Sequence, residues 1–95
     1  MFKIGDRVML TEESHQSCNV FREHPGDVAT IIGIKKALTA GCYFYGLEFD
    51  RNIGGHDGRD FGNGKSGHCV IYNINTERAE KYLKRIQKNR KNNFY

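Results

Sequence analysis

The 95-residue chain has no tryptophan, a single proline, three cysteines and no long apolar run. A membrane-spanning helix needs roughly 20 mainly apolar residues, and the start Met-Phe-Lys-Ile-Gly-Asp lacks the apolar core of a signal peptide. We therefore expect a cytoplasmic protein with no membrane partner. Three cysteines cannot all pair with one another, which favours free thiols over a disulfide framework. A chain of this length forms one domain with little room for a deep, enclosed active site.

The positive charge is concentrated at the C-terminal end of the chain. Residues 1–75 hold eight Lys and Arg against nine Asp and Glu, whereas residues 76–95 hold seven against two. The net charge of +4 is therefore the sum of −1 and +5. A basic segment attached to a near-neutral domain is typical of polyanion contact, and a solvated helix face gives the same pattern.

Alternating apolar positions predict four β-strands, at residues 2–10, 28–34, 43–49 and 69–74. Residues 11–26 are polar and are broken by a Pro-Gly pair, so they are predicted to form a long loop. In the third strand, Tyr45, Leu47 and Phe49 share one face and are assigned to the core, while Phe44 lies on the opposite face.

Residues 76–91 are predicted to form a basic amphipathic helix packed on the strands. Ala79, Tyr82, Leu83 and Ile86 make one apolar stripe at helical spacing, and Asn75 or Thr76 can cap the first turn. Residues 92–95 are expected to be a frayed tail. The basic side chains of the segment are candidates for contacts with nucleic-acid phosphates: Lys81, Lys84, Arg85, Lys88, Arg90 and Lys91.

The segment from Gly46 to Gly58, Gly-Leu-Glu-Phe-Asp-Arg-Asn-Ile-Gly-Gly-His-Asp-Gly, resembles the CAP-Gly domain. In that family a Gly-hydrophobic-Glu-hydrophobic-Asp strand runs into a Gly-Lys-Asn-Asp-Gly loop that grips peptide C-termini. The resemblance covers roughly residues 3–72 and implies a mostly β fold: a small SH3-like barrel of about five strands, here residues 1–75. Gly55 and His56 replace the Lys and Asn of the family loop, and Phe44 replaces its Trp. The resemblance therefore implies the position of a binding face, but it does not imply recognition of a peptide carboxylate.

The chain also resembles short SH3-like proteins of phages and mobile elements. The matching pieces are the opening Phe-x-x-Gly-Asp-x-Val, here Phe2 to Val8, the Gly-His-Asp of residues 55–57, and the Gly-His-Cys of residues 67–69. This second resemblance implies a small accessory binding protein.

The glycine-rich loop from residue 54 to residue 67 is the predicted recognition element. Six of its fourteen residues are glycine, which excludes a helix. Phe61 lies among these glycines and is predicted to be an exposed anchor. Phe44, Phe61 and Tyr72 are alternatively a stacking platform for single-stranded nucleic acid. The residues predicted to contact a partner are Phe44, His56, Asp57, Arg59, Asp60, Phe61 and Lys65.

The residue pattern gives little support for an active site or a metal site. Gly62-Asn63-Gly64-Lys65-Ser66 lacks the earlier glycine of a phosphate-binding loop and leads into a strand. His15, Cys18, His68 and Cys69 could bind zinc, but adjacent residues on a strand point to opposite faces, so we expect a buried Cys69 and a solvated His68. Cys42 and Cys69 carry no signature of a nucleophile. We predict no catalytic residue, no metal and no cofactor.

The sequence thus predicts a non-enzymatic binding module of phage or mobile-element type. The module would bind a host protein such as a nucleic-acid-processing or defence enzyme. A more specific form of this hypothesis is that the module inhibits that enzyme. A direct nucleic-acid-binding protein that uses the basic helix is the alternative, and a small hydrolase or metal enzyme is a third, weaker interpretation.

Overall fold

Five antiparallel strands form a single sheet in the computed structural model, which describes residues 2–13, 20–62 and 64–86. The strands are β1 (Arg7–Leu10), β2 (Val28–Lys36), β3 (Cys42–Phe49), β4 (Cys69–Asn75) and β5 (Leu83–Arg85). A 3₁₀ turn spans Arg59–Phe61, and a helix, α1, spans Thr76–Tyr82. The strand order is β4-β3-β2-β1-β5. The mostly β architecture is confirmed, but within the described residues β4 and β5 remain edges, so the sheet is not closed into a barrel.

The core lies on one face of the sheet and is covered by α1. It follows from the alternation in each strand, since the inward-facing residues are the apolar ones. Tyr45, Leu47 and Phe49 are buried as the sequence predicted. The other members come from the N-terminal segment, the remaining strands, the loop after β3 and the helix: Phe2, Val8, Leu10, Ala29, Ile31, Ile53, Val70, Tyr72, Ile74, Ala79, Tyr82 and Leu83.

The helix predicted over 76–91 is confirmed for Thr76–Tyr82 and wrong for residues 83–86. Asn75 caps α1 by accepting a hydrogen bond from the Glu77 N–H at 2.8 Å. At Leu83 the backbone turns extended, with φ −125° and ψ 103°. Residues Leu83–Arg85 then pair with β1, Leu83 opposite Leu10. This pairing supplies β1 with a second hydrogen-bonded neighbour while keeping Leu83 in the core, so tertiary structure overrides the helical spacing. Residues 87–95 lie outside the described residues.

Candidate functional site

The outer face of the sheet carries two rows of side chains that cross β2, β3 and β4. Strand register places Lys35 opposite Phe44 and Phe44 opposite Asn73. One step along the strands, Gly33 lies opposite Gly46, and Gly46 lies opposite Ile71. The second row therefore has no side chain on its first two strands, which leaves a depression beside Ile71 and Phe44.

The ring of Phe61 fills that depression. A Cβ atom on Gly33 would lie 1.9 Å from Cδ1 of Phe61, and one on Gly46 would lie 2.6 Å from Cδ2. Phe61 is thus partly buried against the backbone of β2 and β3, and the prediction of a freely exposed anchor needs correction. The loop closes down on the sheet because two glycines admit the ring. The Lys35 ammonium lies 5.0 Å from the ring centroid, a cation–π contact.

A hollow of about 260 Å³ remains open next to the docked ring. It is lined by Lys35, Phe44, Asp60, Phe61 and Ile71. Phe44 is 37% exposed and forms one wall. Lys35 donates a hydrogen bond from Nζ to the Asp60 carbonyl oxygen at 3.0 Å, which links the rim of the hollow to the loop. The hollow is therefore apolar at its base and is bordered by one basic residue, Lys35, and one acidic residue, Asp60.

Backbone hydrogen bonds hold the glycine-rich loop against β4. His56 and Cys69 exchange two of them, at 2.9 and 3.1 Å. The Lys65 N–H donates to the Glu48 carboxylate at 2.6 Å, and the Gly64 N–H donates to the Asp57 carbonyl at 2.8 Å. These contacts fix the loop at both ends of the segment that carries Phe61.

Local side-chain bonds shape the turn before Phe61. The His56 ring accepts a hydrogen bond at Nδ1 from the Gly58 N–H at 2.9 Å. The Asp57 carboxylate accepts a bond from the Arg59 N–H at 3.1 Å and pairs with the Arg59 guanidinium at 3.0 Å. The backbone hydrogen bond from Arg59, followed by the charge of its guanidinium, lowers the pKa of Asp57 despite partial desolvation. Gly58 has φ 71°, a left-handed conformation that a side chain would strain.

The structure divides the seven predicted partner-binding residues into two groups. Phe44, Asp60 and Phe61 line the hollow. His56, Asp57, Arg59 and Lys65 instead belong to the loop that holds Phe61 in place, although Arg59 and Lys65 are exposed.

Sequence reasoning missed Lys35 and Ile71 as lining residues of the hollow. Each of them comes next to the predicted residues only through strand register, Lys35 opposite Phe44 and Ile71 opposite Gly46. The alternation within one strand assigns residues to faces but does not fix the register between strands.

The structure removes Tyr72 from the proposed stacking platform. Tyr72 faces the core and is 2% exposed, whereas Phe44 and Phe61 lie on the other side of the sheet. The Tyr72 hydroxyl donates a hydrogen bond to the carboxylate of Glu23, which is fully buried. The same carboxylate accepts bonds from the N–H groups of Phe21, at 2.7 Å, and Val20, at 3.3 Å. Glu23 thereby ties residues 20–23 to β4.

Cys69 and His68, which lie beside the loop, are both buried. Cys69 is fully buried, as predicted, and burial raises the pKa of its thiol, with the Glu48 charge adding to the effect. His68 is buried rather than solvated, because its Nδ1 donates to the Phe49 carbonyl at 2.8 Å. Among the described residues no group of three or more His, Cys, Asp or Glu could hold a metal ion. His15 and Cys18 lie outside the described residues.

The predicted basic helix face is not formed as expected. Lys81 is exposed on α1, but Lys84 and Arg85 follow each other on β5 and point to opposite sides. The Arg85 guanidinium lies 3.7 Å from Asp6 and 4.8 Å from the Phe2 ring centroid, so this cation already has neighbours. Lys88, Arg90 and Lys91 lie outside the described residues.

Comparisons of the chain with known protein families, with curated proteins and with solved structures gave no match. Across residues 2–13, 20–62 and 64–86, no helix is long and apolar enough to cross a membrane.

Proposed function

We propose that this chain is a non-enzymatic, SH3-like binding module of the kind carried by phages and mobile elements, and that it binds a host protein. The observation that supports this proposal is the hollow beside Phe61. It combines two aromatic side chains and an aliphatic one with a basic residue, Lys35, and an acidic residue, Asp60. Aromatic residues in a partly buried pocket are typical of the anchor points that dominate protein interfaces.

The size of the hollow favours a side chain of a protein partner over a small-molecule substrate. Small-molecule sites usually enclose about 300–1,000 Å³, whereas this hollow measures about 260 Å³ and opens to solvent on the sheet face. A single aromatic or aliphatic side chain of the partner would be desolvated between Phe44, Phe61 and Ile71. The action would be stoichiometric, and inhibition of a host nucleic-acid-processing or defence enzyme would follow from occupying its surface.

The closed loop supports the same function. Phe61 is already docked and the loop is hydrogen-bonded to β4, so binding would not require ordering of these residues. A preformed surface loses less conformational entropy on association than a mobile one. The exposed Lys81 and Lys84 would contribute mainly to the association rate, since solvent-exposed charges steer encounters more than they discriminate between partners.

A pull-down from bacterial lysate, with and without nuclease, tests the proposal. We expect a protein partner that survives nuclease treatment and that is lost with Phe44→Ala, which should weaken the complex by about 2 kcal/mol or more if Phe44 is an anchor. Leu38→Ala is the matched control, because Leu38 is an exposed apolar side chain outside the hollow. A partner that disappears on nuclease treatment would instead place the function in nucleic-acid binding by the basic segment. Equal losses with both variants would contradict the role of the hollow.

A further inference from the structure

The backbone of β4 has one side that the sheet does not use. The Phe49 N–H donates a hydrogen bond to the His68 carbonyl, so residues 68, 70, 72 and 74 face β3 in this antiparallel ladder. Residues 69, 71, 73 and 75 therefore direct their N–H and C=O groups away from β3. The two bonds between Cys69 and His56 confirm this orientation.

Beyond Cys69 this edge has no strand beside it in the described part of the chain. Neither the N–H nor the C=O of Ile71 and Asn73 has a backbone partner there. Natural sheets usually protect such an edge with charges, proline, bulges or a very short strand. The other edge, β5, follows this rule, because it has three residues and two of them are Lys84 and Arg85. Strand β4 has seven residues, Cys-Val-Ile-Tyr-Asn-Ile-Asn, without a charge or a proline.

We propose that an extended, acidic segment of the partner adds to β4 as a sixth strand and places an apolar side chain in the hollow. The inference rests on the proposed function and specifies its geometry. Ile71 and Asn73 would supply up to four backbone hydrogen bonds, a recognition mode that uses main-chain groups for affinity and alternate side chains for specificity. Ile71 lies both on this edge and in the wall of the hollow, so a strand at the edge brings every second side chain next to the pocket.

The charge at the rim of the hollow favours an acidic segment. Lys35 bonds to the backbone carbonyl of Asp60, and no carboxylate pairs with it among the described residues. A carboxylate on the incoming strand would give this cation a partner.

A second copy of this chain fits the edge less well. Two β4 strands paired across a two-fold axis must keep the His56–Cys69 bonds, which excludes registers that pair Asn73 with Cys69. The remaining registers place Asn73 or Asn75 of the second copy opposite Ile71, where the hollow presents an apolar wall. We therefore assign the edge to a different polypeptide.

Amide hydrogen exchange measured by NMR tests the proposal on the whole protein. In the free protein, the amides of Ile71 and Asn73 should exchange rapidly while those of Val70 and Tyr72 are protected. The probe is the blocked peptide Thr-Glu-Thr-Phe-Thr-Glu-Thr, whose Phe and Glu side chains share one strand face. At a peptide concentration about nine times the Kd, the exchange of Ile71 and Asn73 amides should slow roughly tenfold.

Two controls separate strand addition from other modes of binding. A peptide with Lys in place of both Glu should bind at least several-fold more weakly. N-methylation of every second peptide amide should abolish binding when the methylated amides are those that face β4, and should not when they are those that face away. Asn73→Pro removes an N–H that β3 does not use and should weaken binding about tenfold, while Asn73→Ala should have little effect.

Three results would overturn the proposal. Peptide-induced shifts at the hollow without protection of Ile71 and Asn73 would leave the binding module intact but exclude strand addition. Protection that grows with protein concentration in the absence of peptide would assign the edge to a second copy. The absence of binding at ~5 mM peptide would mean that the Kd is weaker than millimolar, and it would exclude this ligand class.

Discussion

Gly33 and Gly46 face each other across β2 and β3 and together admit one aromatic ring. Any Cβ at either position would come closer than 3.0 Å to Phe61, a distance that real Cβ contacts do not reach. Neither glycine has a positive φ, so an alanine would be compatible with the backbone. What these glycines provide is space, and the space determines where the loop that carries Phe61 can lie.

Gly33→Ala should therefore destabilise the protein through Phe61 alone. Displacing the ring should cost about 1–3 kcal/mol, the usual range for overpacking. Urea unfolding of both single variants and of the Gly33→Ala/Phe61→Ala double variant completes the cycle. The double variant should be no less stable than Phe61→Ala, since the clash has gone and alanine is the better strand residue. Additive losses would show that Gly33 has another role.

The position of Phe61 could not be predicted from the residues around it. Its neighbours in sequence are glycines, which indicate backbone freedom. Its neighbours in space are two glycines on strands that lie far away in the sequence. A missing side chain on a distant strand leaves no local signal, and so the partial burial of the ring was not predicted.

Glu23 and Tyr72 form a buried polar contact that should be sensitive to single-atom changes. Tyr72→Phe removes only the hydroxyl that donates to the buried carboxylate. Leaving a buried hydrogen-bond acceptor with one donor fewer should lower the free energy of unfolding by about 1–3 kcal/mol. Chemical denaturation measures the change, and Tyr43→Phe is the control because Tyr43 is only half-buried. A loss as large in the control would attribute the effect to general packing.

The segment Leu83–Arg85 shows how far periodicity alone can be trusted. The spacing of Ala79, Tyr82 and Leu83 is helical, and α1 forms where Asn75 caps it. Leu83 also satisfies a strand position opposite Leu10, and β1 offers an unpaired edge. Because that edge comes from the far end of the chain, the sequence of this segment does not reveal it. The other four strands, β1 to β4, were predictable, since their alternation is visible within each one.

Leu83→Ala should cost about 2–5 kcal/mol, because it removes a fully buried side chain from the junction of β5 and the core. Lys84→Ala, on the same strand but exposed, should change stability by less than about 0.5 kcal/mol. Thermal melting of the two variants compares them directly. An unchanged melting temperature for Leu83→Ala would mean that β5 is not part of the cooperative fold.

Two ion pairs join parts of the molecule that are distant in sequence. Arg7 on β1 contacts the Asp50 carboxylate at 2.6 and 2.7 Å, and Arg51 contacts Asp27 at 2.7 and 3.0 Å. The hydrogen bond from Arg7 lowers the pKa of Asp50. At Asp27 burial is the largest single effect and acts in the opposite direction, but the hydrogen bonds from Arg51 and the His24 N–H, together with the charge of Arg51, outweigh it and the pKa is again lowered.

These lowered pKa values predict a loss of stability in acid. A carboxyl group that titrates lower in the folded state stabilises the fold above its unfolded pKa of about 3.9, and the contribution disappears as the pH falls through the folded value. The free energy of unfolding should therefore decrease below about pH 4. Asp50→Asn and Arg7→Gln should each flatten this dependence, and the double variant should flatten it no further than either single change. An acid profile that both variants leave unaltered would exclude the pair as its source.

The fully buried thiol of Cys69 makes it possible to measure how often the glycine-rich loop opens. Its sulfur lies against Gly58 and Gly64, so a reagent can reach it only when the loop lifts from β4. Cys42, half-buried on β3, reacts without that event and serves as an internal clock in a chain carrying Cys18→Ser. The ratio of the two labelling rates reports how often the loop opens. A partner that holds the loop closed would slow the labelling of Cys69 and leave the labelling of Cys42 unchanged. The ratio of the two rates therefore reports whether a partner is bound.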